Sequence, residues 1–357
     1  MIGGNLSLEP ISLKRMSQNL FPENKTFWLQ CGRGGLTLII KLLCLNPEDE
    51  VLLPSYHCQE IVKPFLHNGI KCIYYPVGKN LQIRLTDIAL KVNLHTKLII
   101  IIPYAGWLQK ETSLIETWCQ QKKITLLKDN VPLMPEIVKP QSNVFQLYSF
   151  RKYAGIPSGA ALTLPKEFNK EDYSDIHFSR PKLSAELLQI FALLLRNFSH
   201  FFRSDFMWAI SYKLYQLGEA LFDDKIRHIS MLSYHWVKRI KWDVIIQKRR
   251  ENSIYMRQKL VHLKKITLLD LASSKQTTPL LFPIVSSKAA RIKNLIRNEG
   301  IFATQLWHFP KYQSTSKNPD SYWLTNNILY LTIDQRYGKE EMDYQIQELK
   351  KIINNHD

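Results

Sequence analysis

Lys152 stands in Tyr148-Ser149-Phe150-Arg151-Lys152, directly after a stretch of strand character and before the turn Pro157-Ser158-Gly159-Ala160. A lysine amine whose surroundings lower its pKa can bond covalently to an aldehyde, so this position could carry carbonyl chemistry. Upstream, Asp129 ends the strand expected over 125–128. A carboxylate recessed at a strand end is costly unless a cation or hydrogen bonds compensate it. A protonated ring nitrogen would be such a cation; a helix cap is the plain alternative. Earlier still, Gly32-Arg33-Gly34-Gly35 opens a helical pattern. Amide groups at a helix start, approached without a Cβ in the way, form an anion site, which the hydroxyl of Ser149 could also reach. The spacing fits neither a Walker sequence nor a dinucleotide fingerprint, which counts against an NTPase or a dehydrogenase. Singly, each residue has a bland explanation: a lysine beside an arginine is ordinarily a surface residue, and glycines before helices are common. Their order along the chain carries the signal.

The elements that must position them read as alternating helices and strands over 25–165. Helical periodicity covers 36–44, 59–67 and 111–121; strand character covers 50–53, 71–75, 125–127, 144–148 and 160–164. The continuous apolar run 97–102, bounded by Pro103, has the pattern of a strand buried on both faces. This alternation predicts an α/β fold with a mainly parallel sheet covered on both sides, whose ligands collect at the carboxyl ends of the strands. Pro54-Ser55-Tyr56-His57, Tyr104-Ala105-Gly106, Asp129 and 149–152 all follow such ends. Residues 167–245 read as helical and aromatic-rich, an interface or buried helix rather than a membrane-surface helix. A long helix from about Lys248 leads into a smaller α+β unit with strands at 280–284 and 328–332 and a closing helix at 339–353. The expected domains are therefore 1–245 and 246–357.

The chain has 357 residues, 45% hydrophobic and 22% charged, the balance of a globular protein with room for two domains. No signal peptide and no membrane span are expected; the most apolar stretch, 186–217, is interrupted by Arg196, Arg203, Asp205 and Lys213. Five scattered cysteines without ligand spacing argue for a reduced, cytoplasmic protein with neither a disulfide framework nor a metal site. The formal charge of +17 is compatible with nucleic acid, an anionic membrane surface or an anionic small molecule. Nucleic acid is disfavoured because no aromatic–basic interleaving of the base-stacking kind is present.

Taken together, these segments resemble the DegT-type sugar aminotransferases, a family within fold type I of the pyridoxal-phosphate enzymes. The helix opening Cys31-Gly32-Arg33-Gly34-Gly35-Leu36, the stretch Pro47-Glu48-Asp49-Glu50-Val51-Leu52-Leu53-Pro54 and the segment Ser55-Tyr56-His57-Cys58 resemble a variant branch. Leu126-Leu127-Lys128-Asp129, Ser149-Phe150-Arg151-Lys152, Arg250-Glu251-Asn252 and 328–332 match later family segments in order. The resemblance implies a seven-stranded-type, mainly parallel sheet in a large domain plus a small C-terminal domain. It implies pyridoxal 5'-phosphate as cofactor, Lys152 as its covalent anchor and Asp129 at its ring nitrogen. Ser149, Arg33, Gly34 and Gly35 would hold its phosphate, and Tyr56 or His57 would stack on its ring. It further implies a nucleotide-linked keto-sugar as acceptor, glutamate as donor, and a homodimer to which the aromatic stretch 191–208 could contribute. Retention of Lys152 argues against the dehydratase members, which carry histidine there. The sequence departs from the pattern at Arg33, Pro132 and Thr332, and in the short spacing from Ser149 to Lys152. The alternative is a degenerate member of the fold that binds partners or assembles at a membrane surface.

Overall fold

The computed structural model describes residues 2–12, 19–202, 204–271, 277–310 and 312–355. A seven-stranded sheet runs in the order β1-β7-β6-β5-β4-β2-β3. Its strands are β1 (Thr26–Leu29), β2 (Glu50–Pro54), β3 (Lys71–Tyr75), β4 (Thr96–Ile101), β5 (Thr125–Asp129), β6 (Val144–Ser149) and β7 (Ala160–Thr163). The pairs β2–β3, β2–β4, β4–β5 and β5–β6 are parallel, whereas β7 is antiparallel to both β6 and β1. Interleaved helices are α1 (Gly32–Leu42), α2 (Lys63–His67), α3 (Leu85–Ala89) and α4 (Thr112–Lys122). The buried run Leu98 to Ile101 of β4 explains why that strand sits mid-sheet: it has no polar face to turn to water.

After β7 the chain becomes helical: α5 (Leu183–Phe201), α6 (Asp205–Leu221), α7 (Met231–Val237) and α8 (Trp242–Leu260). The small unit pairs β8 (Thr267–Leu268), β9 (Phe282–Val285) and β10 (Ile328–Leu331) in the order β10-β9-β8, antiparallel throughout. Helices α9 (Ala289–Asn298), α10 (Pro319–Asn327) and α11 (Lys339–Asn355) complete it. Position 245 falls inside α8, whose start packs with Phe150 and Tyr153 while Met256 and Leu260 belong to the small unit's core. The N-terminal residues also serve the small unit, since Gly3 N–H donates to the Tyr337 hydroxyl at 2.8 Å.

The architecture is the α/β arrangement expected, with local differences. The helix expected over 59–67 divides into a 3-10 turn, Gln59–Ile61, and α2. Pro64 is the reason: without an N–H and with a ring that would meet the carbonyl of Glu60, it is tolerated only in a first turn. β1 and α3 were not legible as elements, and α8 begins at Trp242 rather than near Lys248. No helix among the described residues is long and apolar enough to cross a membrane.

Candidate active site

Parallel pairing places Asp129 beside Leu147, so the carboxyl ends of β5 and β6 lie on one edge of the sheet. β6 ends at Ser149 and passes directly into the 3-10 turn Phe150–Lys152. Phe150 is fully buried against Phe21, Trp28 and Trp242, which pins the turn. Tyr153 closes it, its hydroxyl lying 2.7 Å from Pro132 O and 2.6 Å from Thr278 O. The buried guanidinium of Arg249 covers the Tyr153 ring at 4.8 Å and donates to Leu280 O and Tyr153 O. A well-fixed turn thus carries Lys152, which is itself exposed.

The charge of Lys152 reaches groups from separate elements. Burial raises the Asp129 carboxyl to about 7, while the Val131 N–H and Lys152 pull it partly back. Asp129 keeps some solvent exposure, as a group at the floor of a cleft does, although protein surrounds it in the wider sphere. At Cys58, just past β2, burial pushes the thiol up; Lys152 lowers it and Asp129 raises it. At Tyr215 on α6, burial raises the hydroxyl, but the charges of Arg151 and Lys152 outweigh burial and leave it below its ordinary value. An amine, a recessed carboxylate, a thiol and a phenol therefore converge at the strand ends. Cys58 and Tyr215 were not among the residues singled out from sequence. Cys58 stood in a segment already of interest and could have been found by its place after a strand end; Tyr215 lies 63 positions beyond Lys152 and carried no signal.

The helix opening sits beside this group: a Cβ on Gly32 would meet Val131, two residues past Asp129, at 3.7 Å. Gly34 and Gly35 have packing reasons of their own. A Cβ on Gly34 would come within 2.7 Å of Lys225 O, and one on Gly35 within 2.7 Å of a Leu147 methyl. Arg33 pairs with Glu60 at 2.6 Å and reaches Glu219 O, joining α1 to α6. Arg151 ties the same helix to the Lys152 turn: it pairs with Glu219, lies 3.4 Å from the Tyr215 hydroxyl and stacks over Phe222 at 4.7 Å.

The segment after β2 divides. Tyr56 is buried against Tyr104 and Trp307, its hydroxyl bonded to Leu306 O at 3.0 Å. It approaches the site through Tyr104, a neighbour of Asp129 in charge. His57 turns the other way. It stacks on Tyr74 at 5.4 Å with an interplanar angle of 2°, and its ring nitrogens meet Pro54 O and the Tyr312 hydroxyl. Burial lowers its pKa to about 4, which leaves a neutral imidazole engaged away from Lys152. Beside Tyr104, Ala105 holds φ 52 and Gly106 φ 86 where the chain turns between β4 and the small unit. Such non-glycine strain gathers at functional sites. A separate recess of about 670 Å³ is lined by Lys128, Gln146 and Tyr148. These alternate with Asp129, Leu147 and Ser149, so it opens on the opposite face of the sheet. Among the described residues no cluster of His, Cys, Asp and Glu could hold a metal ion.

Residues 28–131 match the DegT/DnrJ/EryC1/StrS aminotransferase family. A curated relative, the dTDP-4-dehydro-2,3,6-trideoxy-D-glucose 4-aminotransferase of Saccharopolyspora spinosa, is 28% identical over 110 residues. That stretch is 30% of this chain and spans only 28% of the relative's length. Among solved structures, the sugar aminotransferase CalS13 of Micromonospora echinospora superposes with a TM-score of 0.67 at 14% identity, covering 98% of this chain and all (100%) of that one. NtdA of Bacillus subtilis, solved with bound PMP, gives 0.64 at 16% identity over 92% of this chain and 73% of its own. TlmJ of Streptoalloteichus hindustanus gives 0.64 at 14%, covering 93% and 86%. At such identities the structural likeness shows the fold alone, which this chain shares with these aminotransferases.

Proposed function

We propose that this chain, whose residues 28–131 carry the pattern of the DegT/DnrJ/EryC1/StrS family, is a pyridoxal-phosphate aminotransferase acting on a nucleotide-linked keto-sugar. The observation that carries the reading is the convergence on Lys152: Asp129, Cys58 and Tyr215, from different elements, all feel its charge. The cofactor's fit rests on Asp129. A carboxyl that burial holds near 7 is a site in want of a cation, and a protonated pyridine nitrogen is one.

Pyridoxal phosphate, when bound, supplies a carbonyl carbon for amine exchange and a ring that accepts electron density. In this reading Lys152 would be the residue that holds the cofactor's carbonyl carbon, and its Nζ would serve as the general acid and base that moves a proton. Asp129 keeps the ring nitrogen protonated through its carboxylate. The α1 amides at Arg33, Gly34 and Gly35, with the Ser149 hydroxyl, bind the phosphate. Tyr56 lines the ring's surroundings through Tyr104. Cys58, rather than His57, is the residue of its segment that faces the reacting region. Tyr215 and Arg151 set the charge around Nζ. The net charge of +17 favours a diphosphate-bearing substrate, and glutamate is the proposed donor. The enzyme is proposed to work as a homodimer in the cytoplasm.

The test is to add pyridoxal phosphate to purified protein, then offer glutamate with a panel of nucleotide keto-sugars while following 2-oxoglutarate release. The expected result is a visible absorption band, lost in Lys152→Ala, and release with at least one sugar. A colourless wild type that binds no cofactor would overturn the reading.

A further inference from the structure

One fully buried hydroxyl, that of Tyr153, stands where the chains leaving three neighbouring strands meet the small unit. Gly106 follows β4, Pro132 follows β5 and Tyr153 follows β6, while Thr278 lies in the segment that enters β9. The junction is tight. Gly106 turns there with φ 86, and a Cβ on it would lie 2.0 Å from Thr278 O and 2.8 Å from Pro132 O. The Tyr153 hydroxyl faces the same two carbonyls, at 2.6 Å and 2.7 Å respectively. Thr278 Oγ1 donates to Met134 O at 2.7 Å and Leu280 N–H donates to Ala105 O at 2.8 Å, so separate bonds tie this segment to the loops after β4 and β5.

The backbone of Tyr153 is held as firmly as its side chain. Its N–H donates to Phe150 O, and its carbonyl accepts from Gln335 Nε2 at 2.8 Å and from Arg249 Nη2 at 3.3 Å. Burial raises the hydroxyl well above its ordinary value despite the Arg249 charge, so it keeps its proton and donates. A phenol has one proton to give. Without it the two carbonyls would face each other with no donor between them, and buried acceptors are costly to leave unmet. The two sides of this bridge lead to the two groups of the site. Tyr153 follows Lys152 directly. Pro132 belongs to the short turn after Asp129, in which Val131 N–H lies 3.4 Å from Asp129 Oδ1 and Leu133 N–H donates to Asn130 O at 2.9 Å.

We propose that Tyr153 is a positioning residue: its hydroxyl fixes the spacing between Lys152 and Asp129 and locks that spacing to the small unit through Thr278. The inference rests on the reading of those two residues as holders of pyridoxal phosphate. Tyr153 acts through its neighbours, as the supporting residues of a preorganised site do.

The experiment compares wild type with Tyr153→Phe as full chains, with pyridoxal phosphate as the probe. Phenylalanine keeps the ring beneath Arg249 and removes the hydroxyl, and an unchanged far-ultraviolet circular-dichroism spectrum verifies the fold. Hydrogen exchange without cofactor should be at least about tenfold faster in the variant at the amides of Val131, Leu133 and Leu280. With cofactor, the dissociation constant should rise about tenfold or more, and the circular dichroism of the visible band per cofactor bound should change. Lost stability alone would lower occupancy and leave that ratio untouched. In wild type, cofactor should slow exchange at Leu280 as well as at Val131, a test that stands even where the variant does not fold. Equal exchange in the two proteins, an unchanged signal per bound cofactor, or a Leu280 amide indifferent to cofactor would each overturn the proposal. A wild type without a visible band, or with its borohydride-reduced adduct on another lysine, overturns the reading of the site and the proposal with it. The first exchange comparison uses no cofactor, so the two failures are distinguishable.

Discussion

The cleft edge of the large sheet and the α5–α6 hairpin solve opposite problems with the same residue types. At the cleft, apolar strands bury Leu98 to Ile101, Leu126, Leu127 and Leu147, and Asp129 and Ser149 stand where β5 and β6 end. In the hairpin Gln189, Arg196 and Ser211 are buried beside Ala185, Ala192 and Leu193, while the phenylalanines Phe191, Phe198, Phe201 and Phe206 lie outside. The first arrangement uses burial to tune charge, as at Asp129; the second leaves burial undone. The difference teaches that an apolar composition alone says nothing about where the core lies. Partner geometry decides it, and the two regions meet on one helix, α6, through Tyr215 and Arg151.

The largest expected effect lies at the cleft. Lys152→Ala should reduce turnover by on the order of 10⁴-fold, measured as 2-oxoglutarate release, because it removes both the covalent anchor and the acid–base group. Asp129→Asn should lower turnover by about 10²–10³-fold through loss of charge at the ring nitrogen. It should also change stability in a defined direction. In the cofactor-free fold the Asp129 carboxyl rises from 3.8 to about 7, so its contribution to stability is intact below pH 4 and is lost as pH climbs to 7. Urea unfolding should therefore show wild type losing up to about 3–4 kcal/mol relative to Asp129→Asn across that range.

A smaller pair of substitutions breaks the comparison within the hairpin itself. Gly218→Val would place a Cβ 2.6 Å from Gln189 Nε2 and should cost about 1–3 kcal/mol by overpacking the seam between α5 and α6. Phe201→Ser, at the exposed tip, should change unfolding free energy by no more than about 0.5 kcal/mol. If both destabilise equally, the hairpin has a conventional apolar core and the contrast with the cleft fails. The smallest effect is expected at His57. Its imidazole is held neutral, with pKa lowered from 6.5 to about 4, so its contribution is present above pH 6.5 and lost as pH falls to 4. His57→Gln should flatten the acid side of the stability profile while leaving turnover within a few-fold, since the ring is engaged by Tyr74 and Tyr312.

Much of the large sheet was legible because its signal is local. The apolar run 97–102, the helix opening at Gly32 and the strand ends at Asp129 and Ser149 each declare themselves within a few residues, and chain order joined them. β1 was not legible because Thr26–Leu29 is a short edge strand whose partner, β7, lies far along the chain. The break before α2 was readable in principle from Pro64, but helical periodicity masked it. Within the site, Lys152 and Asp129 do share an edge of the sheet, whereas the roles of Tyr56 and His57 turned on side-chain direction, which no spacing encodes. Cys58 and Tyr215 depend on tertiary contact alone. The aromatic composition of 191–208 was evident, but its outward direction follows from the polar seam formed between Gln189 and Ser211 and their partners.

The account stands on the amine at position 152, and borohydride reduction of the pyridoxal-phosphate-loaded protein followed by peptide mass mapping tests it most directly. The account predicts one reduced adduct, on the peptide containing Lys152, in wild type and none in Lys152→Ala. An adduct fixed on another lysine, or none in a protein that nonetheless transfers amino groups, would contradict it.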